Sequence, residues 1–408
     1  MRSMIHLGLG RLEVDWGKNS FFADHGTLFQ DTDIKPVPSY YACDDGTDGE
    51  PIIRMNKGFG KPLRQILARL NLLGHTLRAV KHDYDRLHRL HKLDKEVLPF
   101  DHLRQALAQV HVNEVSADYS NDYDPGEFAS REIQKRLALH LPGFRKYDSE
   151  AGLLLENLGA NSVLRLLAEN PENLNLDVTW DITPLIESGW AKQDEFRAEL
   201  PPEKCFLVVT EGSSDAKIIK KALQLFRPYI SDFFRFVDME EGYPFSGTGN
   251  LHKFTQGLIS IAVQNNTVIV YDNDAEGIAK MQTTKKLSIP PNMRVMKLPD
   301  MSEFSNFKTI GPTGTEQTDI NGRAAAIECF LDLNRDGLTE PIVRWTAFNK
   351  DLDLYHGELQ QKAEYMKDFL NLRTPSASYK SNKIESLIDA LVMECVSIAE
   401  HKLTNELI

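Results

Sequence analysis

The chain has 408 residues, enough for two or three domains of ordinary size, and its 41% hydrophobic content allows real cores to be buried. With 47 basic against 59 acidic residues the net charge is −12. This excludes a protein coated in positive potential, so a nucleic-acid partner has to meet a local basic patch or a metal-filled pocket. No run of about 18 apolar residues occurs, so no membrane span is expected. The four cysteines, Cys43, Cys205, Cys329 and Cys395, form no Cys-x-x-Cys pair. They exclude a zinc module and fit reduced thiols in a cytosol.

Residues 1–60 read as short strands and loops, with apolar residues clustered at 5–12. Glu13 and Asp15 sit inside what would be a signal peptide's apolar core, so none is expected. The acidic stretch DDGTDGE (44–50) lacks calcium-loop spacing and reads as a solvated turn. From Pro62 onward, Leu63, Ile66, Leu67, Leu70, Leu73, Leu77, Val80, Tyr84 and Leu87 recur at helical steps. They predict one long amphipathic helix. Its other faces are basic: residues 54–92 hold ten Lys/Arg, two Asp and four His. Residues 150–200 run the other way, with ten acids and three bases, and 151–168 reads as a Leu-rich helix. The two regions are expected to pair electrostatically, within a domain or between subunits, which makes self-association an expectation. Arg64, Arg78 and Lys81 on the basic helix, with Lys217 further on, are candidate phosphate contacts. Binding through such contacts weakens with salt.

Pro201 and Pro202 mark a boundary. Beyond them strands and helices alternate: CFLVVT (205–210), a helix over 215–226, FFRFVDM (233–239), a helix over 251–263, TVIVYD (267–272), a helix over 275–286 and MRVMKL (293–298). This alternation predicts a parallel sheet flanked by helices. A polar loop follows Pro312. A helix over 323–333, a strand over 341–347 and helices over 356–371 and 381–403 are then expected. The whole reads as an α/β chain: a mixed, mainly helical region over 1–200, a sheet domain over 203–335 and a helical extension over 336–408.

Two acidic motifs close the two most apolar strands. LVVTEGSSD places Glu211 after the first and Asp215 one helical turn later; VIVYDNDAEG places Asp272 and Asp274 after the second. Strand carboxyl ends line the ligand crevice of an open parallel sheet. Alternation lets Asp272 and Asp274 point one way and Asn273 the other. Four carboxylates at one edge repel each other without a cation. Mg²⁺ or Mn²⁺ suits them, because such ions prefer oxygen ligands and share their shell with water and phosphate. Gly212 and Gly277 keep the turns open. The competing reading is that the acids only cap helices. Asp300 in KLPDMSEF is the favoured further ligand, with Asp319 and Glu328 as other options.

Residues 204–300 resemble a Toprim domain, the fold shared by topoisomerases, bacterial primases and overcoming-lysogenization-defect nucleases. VTEGSSDAKII is similar to the first motif, FSGTGN (245–250) to the glycine segment and VYDNDAEG to the Asp-x-Asp motif. The resemblance implies Glu211, Asp272 and Asp274 as catalytic residues. In the nuclease branch it implies Asp215 as a metal ligand. The segments LGRLEVDWGKN (9–19), DIKPVPSYY (33–41) and RLNLLGHTLRAV (69–80) resemble the HEPN/Toprim-associated N-terminal domain. That likeness implies bacterial defence against phage, with a defence partner or a phage trigger.

The expected activity is hydrolysis of DNA or RNA phosphodiesters, with Glu211 or a metal-bound hydroxide as candidate base. A topoisomerase would need a tyrosine on a separate strand-passage domain, and a primase a zinc module. A non-catalytic nucleic-acid sensor or regulatory subunit is the alternative from another class. A HEPN ribonuclease using Arg69 and His75, an Arg-x-His pair of suitable spacing, is a third. On a straight helix those two side chains diverge by about 120°, so they need a break at Gly74 to converge. GLGR (8–11) lacks the third glycine of a dinucleotide fingerprint, and no Walker A motif occurs.

Overall fold

The computed structural model describes residues 6–15, 23–41, 52–91, 98–115, 157–189, 191–237, 247–335, 340–349 and 354–406. Cys43, the acidic turn 44–50, the first part of the helix expected over 151–168 and the start of FSGTGN lie outside them. The chain divides into two compact units, Met1–Leu200 with Glu400–Ile408, and Pro201–Ala399.

In the first unit, β1 (His6–Leu9), β2 (Leu12–Glu13), β3 (Ile34–Tyr41), β4 (Ile52–Pro62) and β5 (Asp177–Asp181) form one antiparallel sheet ordered β2-β1-β5-β4-β3. The region is thus mixed, with this sheet beside its helices. The central strand β5 arrives from far along the sequence, a pairing that local periodicity does not reveal. Its Trp180 is buried, stacked on Phe59 at 5.5 Å and met edge-on by Phe196 at 5.7 Å. Edge strand β3 carries Pro36 and Pro38, which have no N–H to offer a further strand.

The expected long helix is two helices, α1 (Leu63–Leu72) and α2 (Leu77–His91). Gly74 breaks it at φ +94°, a left-handed conformation that favours glycine, and closes α1 by donating to the Asn71 carbonyl at 3.0 Å. Helices α3 (Phe100–Ala108), α4 (Ala160–Leu167) and α5 (Thr183–Glu187) complete the described part of this unit. The acidic stretch finds cations outside residues 54–92. Asp177 pairs with Lys35 at 2.7 Å, Glu169 with Arg104 and Arg165 at 2.8 Å each, and Glu172 with His111 at 2.9 Å. The basic helices meet α4 instead through neutral hydrogen bonds and Asp83: Asn161 on His75 at 3.0 Å and Ser162 on Asp83 at 3.2 Å.

The second unit is built on β6 (Phe206–Val209), α6 (Ser213–Phe226), β7 (Phe234–Phe236), α7 (Thr248–Ser260), β8 (Asn266–Tyr271), the short β9 (Asn273–Asp274), α8 (Ala275–Lys285) and β10 (Met293–Lys297). The sheet is parallel throughout, in the order β10-β8-β6-β7. Val209, Ile269, Tyr271, Met293 and Val295 from one face pack with Leu251 and Leu258 of α7 and Met281 of α8. Every residue of β8 is buried, as a strand covered on both faces requires.

A second sheet follows: β11 (Phe307–Gly311), β12 (Gly314–Thr318), β14 (Val343–Asn349) and β15 (Leu354–Leu359), in the order β12-β11-β14-β15. The helix expected over 323–333 is instead β13 (Ala324–Ala325), paired with β9, and a 3-10 turn over Ile327–Phe330. Tertiary pairing takes the backbone of Ala324 and Ala325 away from a helix. The helix expected over 356–371 begins as β15, because Gly357 lies against Trp345 of β14. Gln361, at φ +57°, then turns the chain into α9 (Lys362–Leu370). Helix α10 (Asn382–Glu406) ends the described chain. Cys205, Cys329 and Cys395 are buried and free, and among the described residues no helix is long and apolar enough to cross a membrane.

Candidate functional site

The chain runs from β6 to β7 on one side, then returns past β6 to lay down β8 on the other. The strand order therefore reverses between β6 and β8, which is where an open α/β sheet leaves a crevice beyond its carboxyl ends. Glu211 follows β6 and Asp272 follows β8. The Asp272 backbone N–H donates to Glu211 Oε1 at 3.0 Å, joining the two motifs across this reversal. The glycine segment closes the same end: the Gly247 N–H donates to the Glu211 carbonyl at 3.2 Å, and Thr248 donates to Glu276 at 2.7 Å.

Four half-buried carboxyls gather here, and a fifth, Glu328, is buried behind them. Burial, with the charges of Asp274, Asp215 and Glu276, pushes Glu211 up to about 8 despite its hydrogen bond from Asp272. Burial and then Glu328 push Asp215 up to about 6. Burial and the charges of Asp215, Glu211, Asp274 and Glu328 hold Asp272 well above the usual carboxylate range. Among the described residues no donor reaches the Asp272 carboxylate. Asp274 and Glu328 are raised by burial as well. Such a set is poorly suited to being ionised without a cation.

The capping reading also holds locally. Asp274 is the N-cap of α8, accepting the Gly277 N–H at 2.7 Å. Asp215 accepts the Gly212 N–H at 2.9 Å and the Ser214 hydroxyl at 3.1 Å. These bonds leave lone pairs on each carboxylate and fix its rotamer, so capping and ligation are compatible. Gly277 sits between the acids. A Cβ there would lie 2.5 Å from the Asp272 carbonyl oxygen and 3.1 Å from both Glu211 Oε1 and Asp274 Oδ1.

The remaining sequence candidates separate. Asp300 is not drawn into the cluster: it accepts Lys297 Nζ at 2.6 Å and Asn273 Nδ2 at 2.9 Å. Burial pushes its carboxyl up, but the bonds from Lys297 and Asn273, with the Lys297 charge, together hold it below the usual range. Asp319 caps its own turn by accepting the Asn321 N–H at 2.9 Å. Glu328, an option in the sequence, is the acid that reaches Asp215 and Asp272 electrostatically. Sequence pattern alone does not single out Lys362 and His356. They lie in the segment read as a helical tail, yet Lys362 favours the charged forms of Asp215 and Glu328, and His356 that of Asp274. Lys217 and Arg64 are exposed on α6 and α1. Arg78 pairs with Glu400 at 3.3 Å and Lys81 with Asp85 at 2.7 Å.

The helix does break at Gly74, but Arg69 and His75 have different duties. Arg69 is fully buried; its Nε and Nη2 donate to the Thr27 carbonyl at 3.0 and 2.9 Å, and Nη2 also to that of Phe29 at 3.0 Å. His75 meets Asn161 and lines a separate cleft of about 230 Å³ with His25, Asp83 and Ser162. Arg69 is therefore a structural tie between α1 and the loop before β3.

Among the described residues no three His, Cys, Asp or Glu side chains close into a cage for a metal ion. The donor set nonetheless fits Mg²⁺ or Mn²⁺: it is all oxygen, and Mg²⁺ is usually held by one or two carboxylates plus waters and phosphates. The fold and site thus define an α/β chain with an acidic cluster at a sheet reversal. The family described as HEPN/Toprim N-terminal domain 1 matches residues 1–204, and the chain belongs to that family. No curated protein and no solved structure was found to match it.

Proposed function

We propose that this chain is a metal-dependent nuclease whose second unit is a Toprim-type catalytic domain, with Mg²⁺ or Mn²⁺ held by Glu211, Asp215, Asp272 and Asp274. The observation that carries the reading is the Asp272 carboxylate, which meets no donor among the described residues and faces the charges of Asp215, Glu211, Asp274 and Glu328. A bound cation would supply positive charge against phosphate oxygens and against charge developing on the departing oxygen. The chain's own part is to hold the acids. Glu211 is fixed by the Asp272 N–H, Asp274 by the Gly277 N–H and Asp215 by Gly212 and Ser214. Glu211, raised to about 8, favours its protonated form near neutrality, and a bound cation would compete with that proton.

Membership of the HEPN/Toprim N-terminal family supports a nuclease-related function. Bacterial defence against phage, with a partner or phage trigger releasing the activity, is the setting we propose for it. The ribonuclease alternative has lost one of its two side chains, since Arg69 is engaged by backbone carbonyls. The test is incubation of the purified chain with plasmid, single-stranded DNA and tRNA in Mg²⁺, Mn²⁺ or EDTA. The expected result is metal-dependent cleavage that disappears in Asp272→Ala/Asp274→Ala and survives in His75→Ala. Metal-independent cleavage lost only in His75→Ala would overturn the reading. Binding without cleavage under every condition, phage components included, would favour a sensor.

A further inference from the structure

The residue between the two aspartates is an asparagine with no exposed surface, Asn273. A buried amide offers two donors and an acceptor with two lone pairs, and each unfilled position is costly. Here all are filled, from two other segments. Its Nδ2 donates to the Pro299 carbonyl at 3.2 Å and to Asp300 Oδ1 at 2.9 Å. Its Oδ1 accepts Lys297 Nζ at 3.1 Å and the Gly322 N–H at 3.0 Å. Lys297 Nζ also donates to the same Asp300 Oδ1 at 2.6 Å. Asn273 thus ties β9 to the end of β10 and to the turn that leads into β13, and β13 pairs in turn with Asn273 and Asp274.

Alternation along an extended strand makes the direction of Asn273 set that of its neighbours. A side chain anchored this firmly on one side fixes Asp272 and Asp274 on the other. We infer that Asn273 is the positioning residue of the acidic site. Asp300, at the end of the next strand where a further ligand is expected, serves to hold Asn273 and Lys297 rather than to bind the cation. The inference rests on the metal reading above. It adds a claim that reading does not need: the amide, not a further carboxylate, completes the motif.

The role of Asp300 separates the two possibilities. A metal ligand needs its charge; an acceptor for Asn273 and Lys297 needs only an oxygen at Oδ1. Asp300→Asn keeps that oxygen and Asp300→Ala removes it. Mn²⁺ binding to the full-length chain, by titration calorimetry, is the measurement, with thermal unfolding as a check on folding. Asn273→Ala is expected to weaken Mn²⁺ binding by about 10–100-fold, the usual cost of removing an outer-shell partner. Asp300→Ala is expected to weaken it too, Asp300→Asn to bind as wild type does, and Asn273→Ala/Asp300→Ala to be no worse than Asn273→Ala. If Asn273→Ala does not fold, the two Asp300 variants carry the test alone, since that side chain is 67% exposed and tolerates change. Equal losses in Asp300→Asn and Asp300→Ala would make Asp300 a ligand and overturn the inference while leaving the metal reading intact. So would wild-type binding by Asn273→Ala or by Asp300→Ala. A wild-type chain that binds no Mn²⁺ would overturn the metal reading, and the inference with it.

Discussion

The backbone N–H of Asp272 donates to Oε1 of Glu211 at 3.0 Å, so the acid that closes β6 is held by the residue that closes β8. One oxygen of Glu211 is thus engaged by the fold itself. The bond also brings two like charges together, and burial keeps both above the ordinary range. Function and stability therefore pull in opposite directions at this point.

The first prediction follows from that opposition. Asp272→Asn removes a charge with no partner among the described residues, so the metal-free protein is expected to melt higher at pH 8. A gain of about 1 kcal/mol corresponds to roughly 2–4 °C for a unit of this size. The same variant is expected to lack the cleavage and the Mn²⁺-dependent thermal protection expected of the wild type. Melting curves with and without Mn²⁺ decide it; a lower metal-free melting temperature would contradict the electrostatic account.

The pH dependence has a definite sign. Glu211 is raised from an ordinary value of about 4.3 to about 8, and Asp215 to about 6. Groups with raised values bind protons more tightly in the folded chain, and this contribution is complete below the ordinary value. It is lost as pH climbs through about 6 and then about 8. Metal-free stability is expected to decline from pH 5 to pH 8, while stabilisation by Mn²⁺ grows over the same interval as protons cease to compete. Urea midpoints at pH 5, 6, 7 and 8, with EDTA or Mn²⁺, test both slopes. Flat metal-free midpoints across that range would refute the raised values.

Gly277→Ala probes the space between the acids. The added methyl would lie 2.5 Å from the Asp272 carbonyl oxygen, which is backbone and cannot swing aside. The expected cost is about 1–3 kcal/mol from overpacking, with loss of cleavage as the β8 end and α8 are pushed apart. Activity at the wild-type level, with an unchanged melting temperature, would show that the turn relaxes freely.

Arg69→Ala and His75→Ala should part company. Removing Arg69 strips two carbonyls, Thr27 and Phe29, of a buried donor. The loss is expected to be at least about 2 kcal/mol, since each unsatisfied buried group costs roughly 1–3 kcal/mol. Arg69→Lys is expected to rescue poorly, because a single ammonium cannot reproduce the guanidinium fork. His75→Ala should leave both stability and metal-dependent cleavage close to wild type. Denaturant midpoints and cleavage assays measure the two effects; a stable but inactive Arg69→Ala would revive a catalytic role for that residue.

The sequence by itself determined the parallel sheet and the acids at its carboxyl ends. Short apolar strands alternating with helices leave little choice of architecture, and an acid directly after a strand is carried to its end wherever the strand lies. Glu211 and Asp272 were legible for that reason. Tertiary structure decided which acids reach each other. Asp300 occupies the expected position after β10, but Lys297 and Asn273 claim it, whereas Glu328 reaches the cluster from a 3-10 turn that periodicity read as helix. Arg69 and His75 have suitable spacing in sequence, and only burial shows that the guanidinium belongs to Thr27 and Phe29. Local sequence biases φ, ψ and the facing of side chains, and tertiary pairing can override it, as at Ala324 and Ala325. The partner of a buried polar group is chosen by chain segments distant in sequence, as β5, β13 and the turn at Gly322 illustrate. The opening bond between Glu211 and Asp272 combines both: two strand ends placed by local pattern, and a hydrogen bond that exists because β8 pairs with β6.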